Sequence, residues 1–121
     1  MNMSEDRWKK LEVWQIADDL ALKVYQATRK YPKEEIYGLT SQLRRSSLSI
    51  PTNIVEGYSR KGDKELSHFI SIGLGSLGEV KYLIHFSNRL GYLDTDTFVE
   101  LKKGYDILGS KLWRFYKSIS S

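Results

Sequence analysis

Apolar residues recur at helical steps along almost the whole chain. From Leu11 to Tyr31, the positions Leu11, Trp14, Ala21, Val24 and Thr28 form one stripe, widened by Leu20 and Ala27. Tyr31-Pro32 stops this helix, because the residue before a proline is pushed out of the helical region. A second helix is predicted over about 33–59, with Glu34 and Glu35 at its positive end. Its core stripe reads Ile36, Leu39, Leu43, Ser47, Ile50, Ile54 and Gly57. Pro51 lies inside it, and an internal proline costs about 3 kcal/mol and removes one ladder bond. A kink is expected there, with the hydroxyls of Ser46, Ser47 and Ser49 available to released carbonyls. A split into two helices at Ser49–Ile50 is the competing reading.

Asp63 is suited to cap a third helix over about 63–90, whose stripe is Leu66, Phe69, Ile70, Gly73, Leu77, Val80 and Ile84, with Gly91 as terminator. The fourth helix, over about 95–119, steps through Phe98, Leu101, Tyr105, Leu108, Leu112, Phe115 and Ile119 in threes and fours without a miss. Four helices with short connections predict an all-α, up-down-up-down antiparallel four-helix bundle, as a single domain over 1–121.

Composition narrows the chemistry. A chain of 121 residues without cysteine excludes a disulfide scaffold, a thiolate zinc site and a Cys nucleophile. No apolar run approaches the ~18–20 residues of a membrane span, and MNMSEDRWKK has no apolar segment after its charges. A cytoplasmic protein with no membrane partner is expected. The net charge is +4, and it looks dispersed: +2 over 1–33, +1 over 34–62, 0 over 63–93 and +1 over 94–121. No basic tail exists for a phosphate backbone to grip in extended form.

Catalysis has little support. His68 and His85 stand 17 residues apart on one helix, about 25 Å along its axis, and cannot share a metal within one chain. Glu65 precedes His68 by three residues, but His85 has Tyr82 there, so no di-iron pair of motifs exists. No nucleophile–base spacing is found. The expectation is a non-enzyme with no catalytic residue, no metal and no cofactor. Trp8, Trp14 and Trp113 read as packing anchors.

Two surfaces stand out. Gln42, Arg45, Ser49, Asn53, Glu56 and Arg60 share one arc of the second helix, with Arg44 outside it, and Arg60, Lys61 and Lys64 cluster across the following turn. They could bind phosphates, or Arg45 and Arg60 could pair with Glu56 or with a neighbouring subunit's carboxylate. The second helix also carries Tyr37, Leu48 and Val55 away from its core stripe, and the third carries Ile72, Leu83, Phe86 and Leu90 beside its own. Each set reads either as a wide arc touching two neighbouring helices or as a subunit interface. Gly73, Gly75 and Gly78 crowd the third helix, and Ser71, Gly75 and Gly78 form a smooth stripe suited to close helix packing.

The runs Leu11-Glu12-Val13-Trp14-Gln15, Tyr31-Pro32-Lys33-Glu34-Glu35, Tyr37-Gly38-Leu39-Thr40-Ser41-Gln42-Leu43-Arg44-Arg45-Ser46-Ser47, Ser49-Ile50-Pro51-Thr52-Asn53-Ile54-Val55-Glu56-Gly57, Gly75-Ser76-Leu77-Gly78-Glu79 and Leu90-Gly91-Tyr92-Leu93 carry a resemblance. Over roughly 8–118 the chain resembles a bacterial four-helix-bundle family whose founding members are encoded in intervening sequences of 23S rRNA genes. Such proteins are similar in fold to the accessory variability protein of diversity-generating retroelements, a basic pentameric bundle that works with a reverse transcriptase and nucleic acid. The resemblance implies a homopentamer with the second-helix motif near its subunit contacts, and the intervening-sequence association points to RNA. It supplies no catalytic residue, and fold similarity is an analogy for function.

The leading expectation is a non-enzymatic oligomer that binds structured nucleic acid, RNA favoured over DNA, by backbone electrostatics. The candidate phosphate contacts are Arg44, Arg45, Arg60, Lys61 and Lys64, with a second set of Lys103, Lys111, Arg114 and Lys117 on the fourth helix. The candidate interface is Tyr37, Leu48, Val55, Ile72, Leu83 and Phe86. The rival is an adaptor that docks a protein partner such as a reverse transcriptase, and the weakest reading is an RNA-processing enzyme with a site between subunits.

Overall fold

A computed structural model describes residues 6–120; residues 1–5 and 121 of the expected domain lie outside it. Four helices carry the fold: α1 (Glu12–Thr28), α2 (Leu39–Tyr58), α3 (Asp63–Arg89) and α4 (Thr95–Ile119). Short 3-10 turns at Arg7–Lys10 and Lys33–Glu35 precede α1 and α2. Neighbours in the bundle are neighbours in sequence, with α4 closing the square against α1. Short connections reverse the chain each time, making an all-α, up-down-up-down antiparallel four-helix bundle. Among the described residues, no helix is long and apolar enough to cross a membrane.

The core joins all four helices. Val24, Leu43, Ile50, Ile54, Ile70, Val80, Leu101, Tyr105, Leu108 and Leu112 are fully buried, and burying each such aliphatic side chain contributes about 1.5–3 kcal/mol. Val13 and Ala17 join this core from α1, beyond the stripe read from the sequence. Tyr105 sits wholly inside, and burial pushes its phenol far above the ordinary value.

The helix ends differ from expectation in instructive ways. α1 stops at Thr28, and Lys30 and Tyr31 continue with 3-10-type bonds to the carbonyls of Ala27 and Thr28 before Pro32. α2 starts at Leu39 rather than near 33, because Gly38 adopts a non-helical backbone (φ −117°, ψ −113°). Ile36 therefore lies outside the helical register and is 56% exposed, not part of the core. Glu35 organises this start: one carboxylate oxygen accepts the Leu39 N–H at 3.1 Å, and the other accepts the Tyr92 hydroxyl at 3.0 Å.

The N-cap of α3 is Gly62, whose φ of +88° suits glycine, and Asp63 occupies the first helical turn instead. Gly91 (φ +78°) ends α3 in a Schellman motif, with Tyr92 N–H donating to the Ser87 carbonyl and Gly91 N–H to that of Asn88, both at 3.0 Å. Asp94 caps α4 by accepting the Thr97 N–H at 2.8 Å.

α2 runs unbroken through the buried Pro51. Its serine hydroxyls bond back one turn, Ser46 Oγ to the Gln42 carbonyl at 2.9 Å and Ser47 Oγ to that of Arg44 at 3.0 Å. The carbonyl a proline releases is that of residue i−4, here Ser47, so these hydroxyls do not serve it. The flanking Ile50 and Ile54, both fully buried, tie this stretch of α2 to the core.

Candidate nucleic-acid interface

The start of α1, the α2–α3 turn and the last turns of α4 meet at one end of the bundle. The Arg7 guanidinium lies 5.8 Å from the Tyr58 ring centroid, and Tyr58 stacks on Phe115 at 6.5 Å. An open groove between the first turn of α3 and the last turn of α4 is lined by Asp63, Lys64, Ser67, Ile119 and Ser120. A second groove, across the end, is lined by Arg7, Tyr58, Arg60 and Asp63 among others.

Folding concentrates charge here. Residues 6–15, 56–67 and 110–120 hold nine Lys and Arg against five Asp and Glu, whereas the rest of the described chain holds ten against nine. The segment totals that look dispersed along the sequence are brought together by chain reversal. Three local ion pairs use part of this set: Lys9 with Asp6 at 3.3 Å, Arg60 with Glu56 at 2.8 Å and Lys111 with Glu12 at 3.2 Å. The Arg60 guanidinium also lies 5.1 Å from the Phe69 ring centroid. Lys61, Lys64, Arg114 and Lys117 are exposed and make no ion pair among the described residues.

The nine expected phosphate contacts thus divide. Arg60, Lys61 and Lys64 from one set join Lys111, Arg114 and Lys117 from the other at this basic end. Arg44 lies 16 residues before Arg60 on α2, about 24 Å along the axis, and faces α1. Its Nε donates to Thr28 Oγ1 at 2.8 Å, its Nη2 to the Tyr25 carbonyl at 3.3 Å, and its guanidinium covers the Tyr25 ring at 4.7 Å. The Tyr25 carbonyl lies in the last turn of α1, where it also accepts the Thr28 hydroxyl at 3.2 Å, so Arg44 ties α2 to the end of α1. Arg45 lines a shallow groove with Tyr37, Gln42, Ser49, Ser76 and Glu79, away from the basic end. Lys103 is exposed about 16 Å before Arg114 along α4.

The polar arc of α2 proves to be the α2–α3 seam. Ser49 and Ser76 hydroxyls share a hydrogen bond of 2.7 Å, and Asn53 Nδ2 donates to the Ser49 carbonyl at 2.7 Å. The helices approach closely at Gly57, where an added Cβ would meet Leu66 Cδ1 at 2.9 Å and Phe69 Cβ at 3.2 Å.

The expected interface residues divide as well. Leu83 is buried in the core of its own chain, which corrects its placement on an outer stripe: α3 touches both α2 and α4, so its buried arc is wide. Tyr37 is 95% exposed, Leu48, Ile72, Phe86 and Leu90 are exposed, and Val55 is half-buried. Leu48, four residues after Arg44, lies on the α1 side of α2, whereas Ile72, four before Ser76, lies on the α2 side of α3. At Gly75 and Gly78 an added Cβ would meet nothing within 4 Å.

The profile of the 23S rRNA-intervening sequence protein family matches residues 9–114. The chain belongs to that family. A crystal structure of a protein of unknown function from the S23 ribosomal protein family of Bacteroides thetaiotaomicron VPI-5482 superposes with a TM-score of 0.78 at 16% identity, covering 95% of this chain and 99% of that one. The likeness is one of fold. No curated protein matches significantly.

Much of the chain's family motif is structural. Pro32 follows the end of α1, Glu35 caps α2, Arg44 anchors α2 to α1, Gly57 permits the α2–α3 crossing, and Gly91 ends α3. The basic end lies mostly outside those runs, in residues 60–64 and 111–117.

Proposed function

We propose that this chain is a non-enzymatic, cytoplasmic bundle protein that assembles with copies of itself, as a homopentamer on the family resemblance, and binds structured nucleic acid, RNA favoured. It needs no cofactor. The observation that carries the reading is the excess of nine basic over five acidic side chains at one end of the bundle, beside a nearly balanced remainder. Lys61, Lys64, Arg114 and Lys117 are the phosphate contacts, assisted by Arg60 and Lys111, whose pairs are exposed and exchangeable at about 0–1 kcal/mol each. Backbone contacts of this kind give affinity with little sequence information. The open apolar side chains Tyr37, Leu48, Ile72 and Phe86 support self-assembly. Several weak sites acting together would bind far more tightly than one.

The test is binding of a structured RNA hairpin and of duplex DNA, each titrated across salt. Log affinity falls linearly with log salt, and Lys61→Ala/Lys64→Ala/Arg114→Ala flattens the slope by about 2–3, given a slope near 0.9 per phosphate contact on duplex DNA and less on single strands. Binding with no salt dependence, or a triple variant with an unchanged slope, overturns the assignment. The adaptor reading is favoured by Ile72, Tyr82 and Phe86, exposed on α3, and Leu90, exposed just after it. It replaces the first if the intact oligomer binds no nucleic acid even at ~50 mM salt.

A further inference from the structure

Trp113 departs from the packing role that its residue type suggests. The core stripe of α4 passes through Leu108 and Leu112, both fully buried, and Trp113 follows on the outer face, 51% exposed. Its ring is nevertheless held: it stacks on Tyr116 with centroids 5.6 Å apart and planes 27° apart, and Tyr116 packs against the core. Trp8 and Trp14 differ, forming an edge-to-face pair at 4.7 Å in which both rings are half-buried.

The surroundings of the indole are cationic. Lys117 Nζ lies 5.6 Å from its centroid, and Arg114 is exposed at the adjacent position. A pre-oriented aromatic face flanked by cations is complementary to an unpaired base and its phosphates, since stacking on an aromatic side chain contributes about 1–3 kcal/mol per base whatever the sequence. A continuous duplex keeps its base faces covered and cannot use such a platform.

Resting on the nucleic-acid reading above, we infer that Trp113 is a stacking platform for an unpaired nucleobase, with Lys117 and Arg114 on the flanking phosphates. This end of the bundle therefore selects single-stranded segments, such as loops, over continuous helix. When the base arrives, the Lys117 ammonium leaves the indole face for the phosphate, so ring and charge are used together.

The experiment compares the full-length chain with Trp113→Ala and Trp113→Phe on a short single-stranded RNA and on the same sequence as a duplex. Circular dichroism of each variant checks the fold. Trp113→Ala loses about tenfold in single-strand affinity, corresponding to one stacked base, and less than twofold on the duplex. Trp113→Phe recovers most of the loss, and the intrinsic fluorescence quenched by the single strand in the wild type is largely absent from it. Equal losses on both RNAs, or no loss on either, overturn the stacking platform and leave the electrostatic reading standing. A wild-type chain that binds neither RNA overturns both.

Discussion

Gly75 and Gly78 lie mid-helix in α3, both exposed, where an added Cβ would meet nothing within 4 Å. Packing within the chain gives no reason for either. Glycine in a helix interior is about 1 kcal/mol worse than alanine, so the pair Gly75→Ala/Gly78→Ala should stabilise the isolated chain by about 1–2 kcal/mol. For a domain of this size, ~1 kcal/mol moves Tm by roughly 3–6 °C, so the double variant should melt about 3–12 °C higher. The sign reverses if a second copy lies on the stripe formed with Ser71. Two methyl groups in a close backbone approach cost about 1–3 kcal/mol through overpacking, which weakens association about ten- to a hundredfold.

The assay has two readouts on one variant. Thermal unfolding is followed by circular dichroism at a dilution where the wild type is monomeric, because association itself raises apparent stability. Sedimentation velocity across a concentration series then measures assembly. The expected result is a raised Tm at dilution together with weakened assembly. A lowered Tm at dilution would refute the packing argument, since it requires an intrachain contact that the geometry excludes. A raised Tm with unchanged assembly would remove these glycines from the subunit contact.

Gly57→Ala should behave oppositely: Phe69 Cβ at 3.2 Å and Leu66 Cδ1 at 2.9 Å from the new methyl force α2 from α3, and a net loss of about 1–2 kcal/mol in chemical denaturation is expected after the propensity gain. Arg44→Ala removes two hydrogen bonds and a cation–π contact at the end of α1 and should lower the denaturation midpoint, by about 1–2 kcal/mol, while leaving the salt slope of RNA binding unchanged; a flattened slope would return Arg44 to the nucleic-acid surface. Acid sensitivity should trace to two carboxylates: hydrogen bonds from Lys81 and Lys102 hold Asp106 below the usual carboxylate value, and those from Thr97 do so for Asp94. Depressed folded values mean that their stabilisation is complete above the ordinary value near 4 and is lost as pH falls through the folded one, so Asp106→Asn should make stability less pH-dependent below about pH 5.

How much of this was legible depended on whether its cause was local. The three-and-four stepping of α4 and the Gly91 stop are properties of neighbouring residues, and both appear in the bundle as read. Apolar spacing puts Ile36 on the core stripe, but the non-helical Gly38 backbone resets the register after the 3-10 turn, which spacing alone does not reveal. Arg44 stands outside the polar arc in the sequence, but its contact with α1 is not legible there, because Thr28 and the Tyr25 carbonyl lie 16 and 19 residues away. Leu83 fell outside its stripe because a helix with two packed neighbours buries more than one stripe. The basic end was hidden for the same reason of distance: +2, +1, 0 and +1 are unremarkable totals until chain reversal puts their basic parts side by side. Trp113 shows the converse, since its residue type suggests core and only its position beside Leu112 sends it outward.

In the function proposed above, self-assembly and nucleic-acid binding constrain each other. Leu48, open on the α1 side of α2, and Ile72, open on the α2 side of α3, lie on different surfaces, so the proposed contact between them is heterologous, and heterologous contacts build rings when the rotation closes. Both faces run along the helices, so copies packed side by side keep their axes roughly along the ring axis, and cyclic symmetry brings every basic end to the same side. In the proposed ring the charge surplus of one chain is repeated around one rim, where a flexible or looped strand can touch several copies at once. If Gly75→Ala/Gly78→Ala dissociates the assembly, it should weaken RNA binding without touching a single basic residue, and the salt slope should shrink with the number of copies engaged. If the dissociated chain binds as tightly as the assembly, with the same slope, the rim does not act as a unit and the basic end of a single bundle is the whole site.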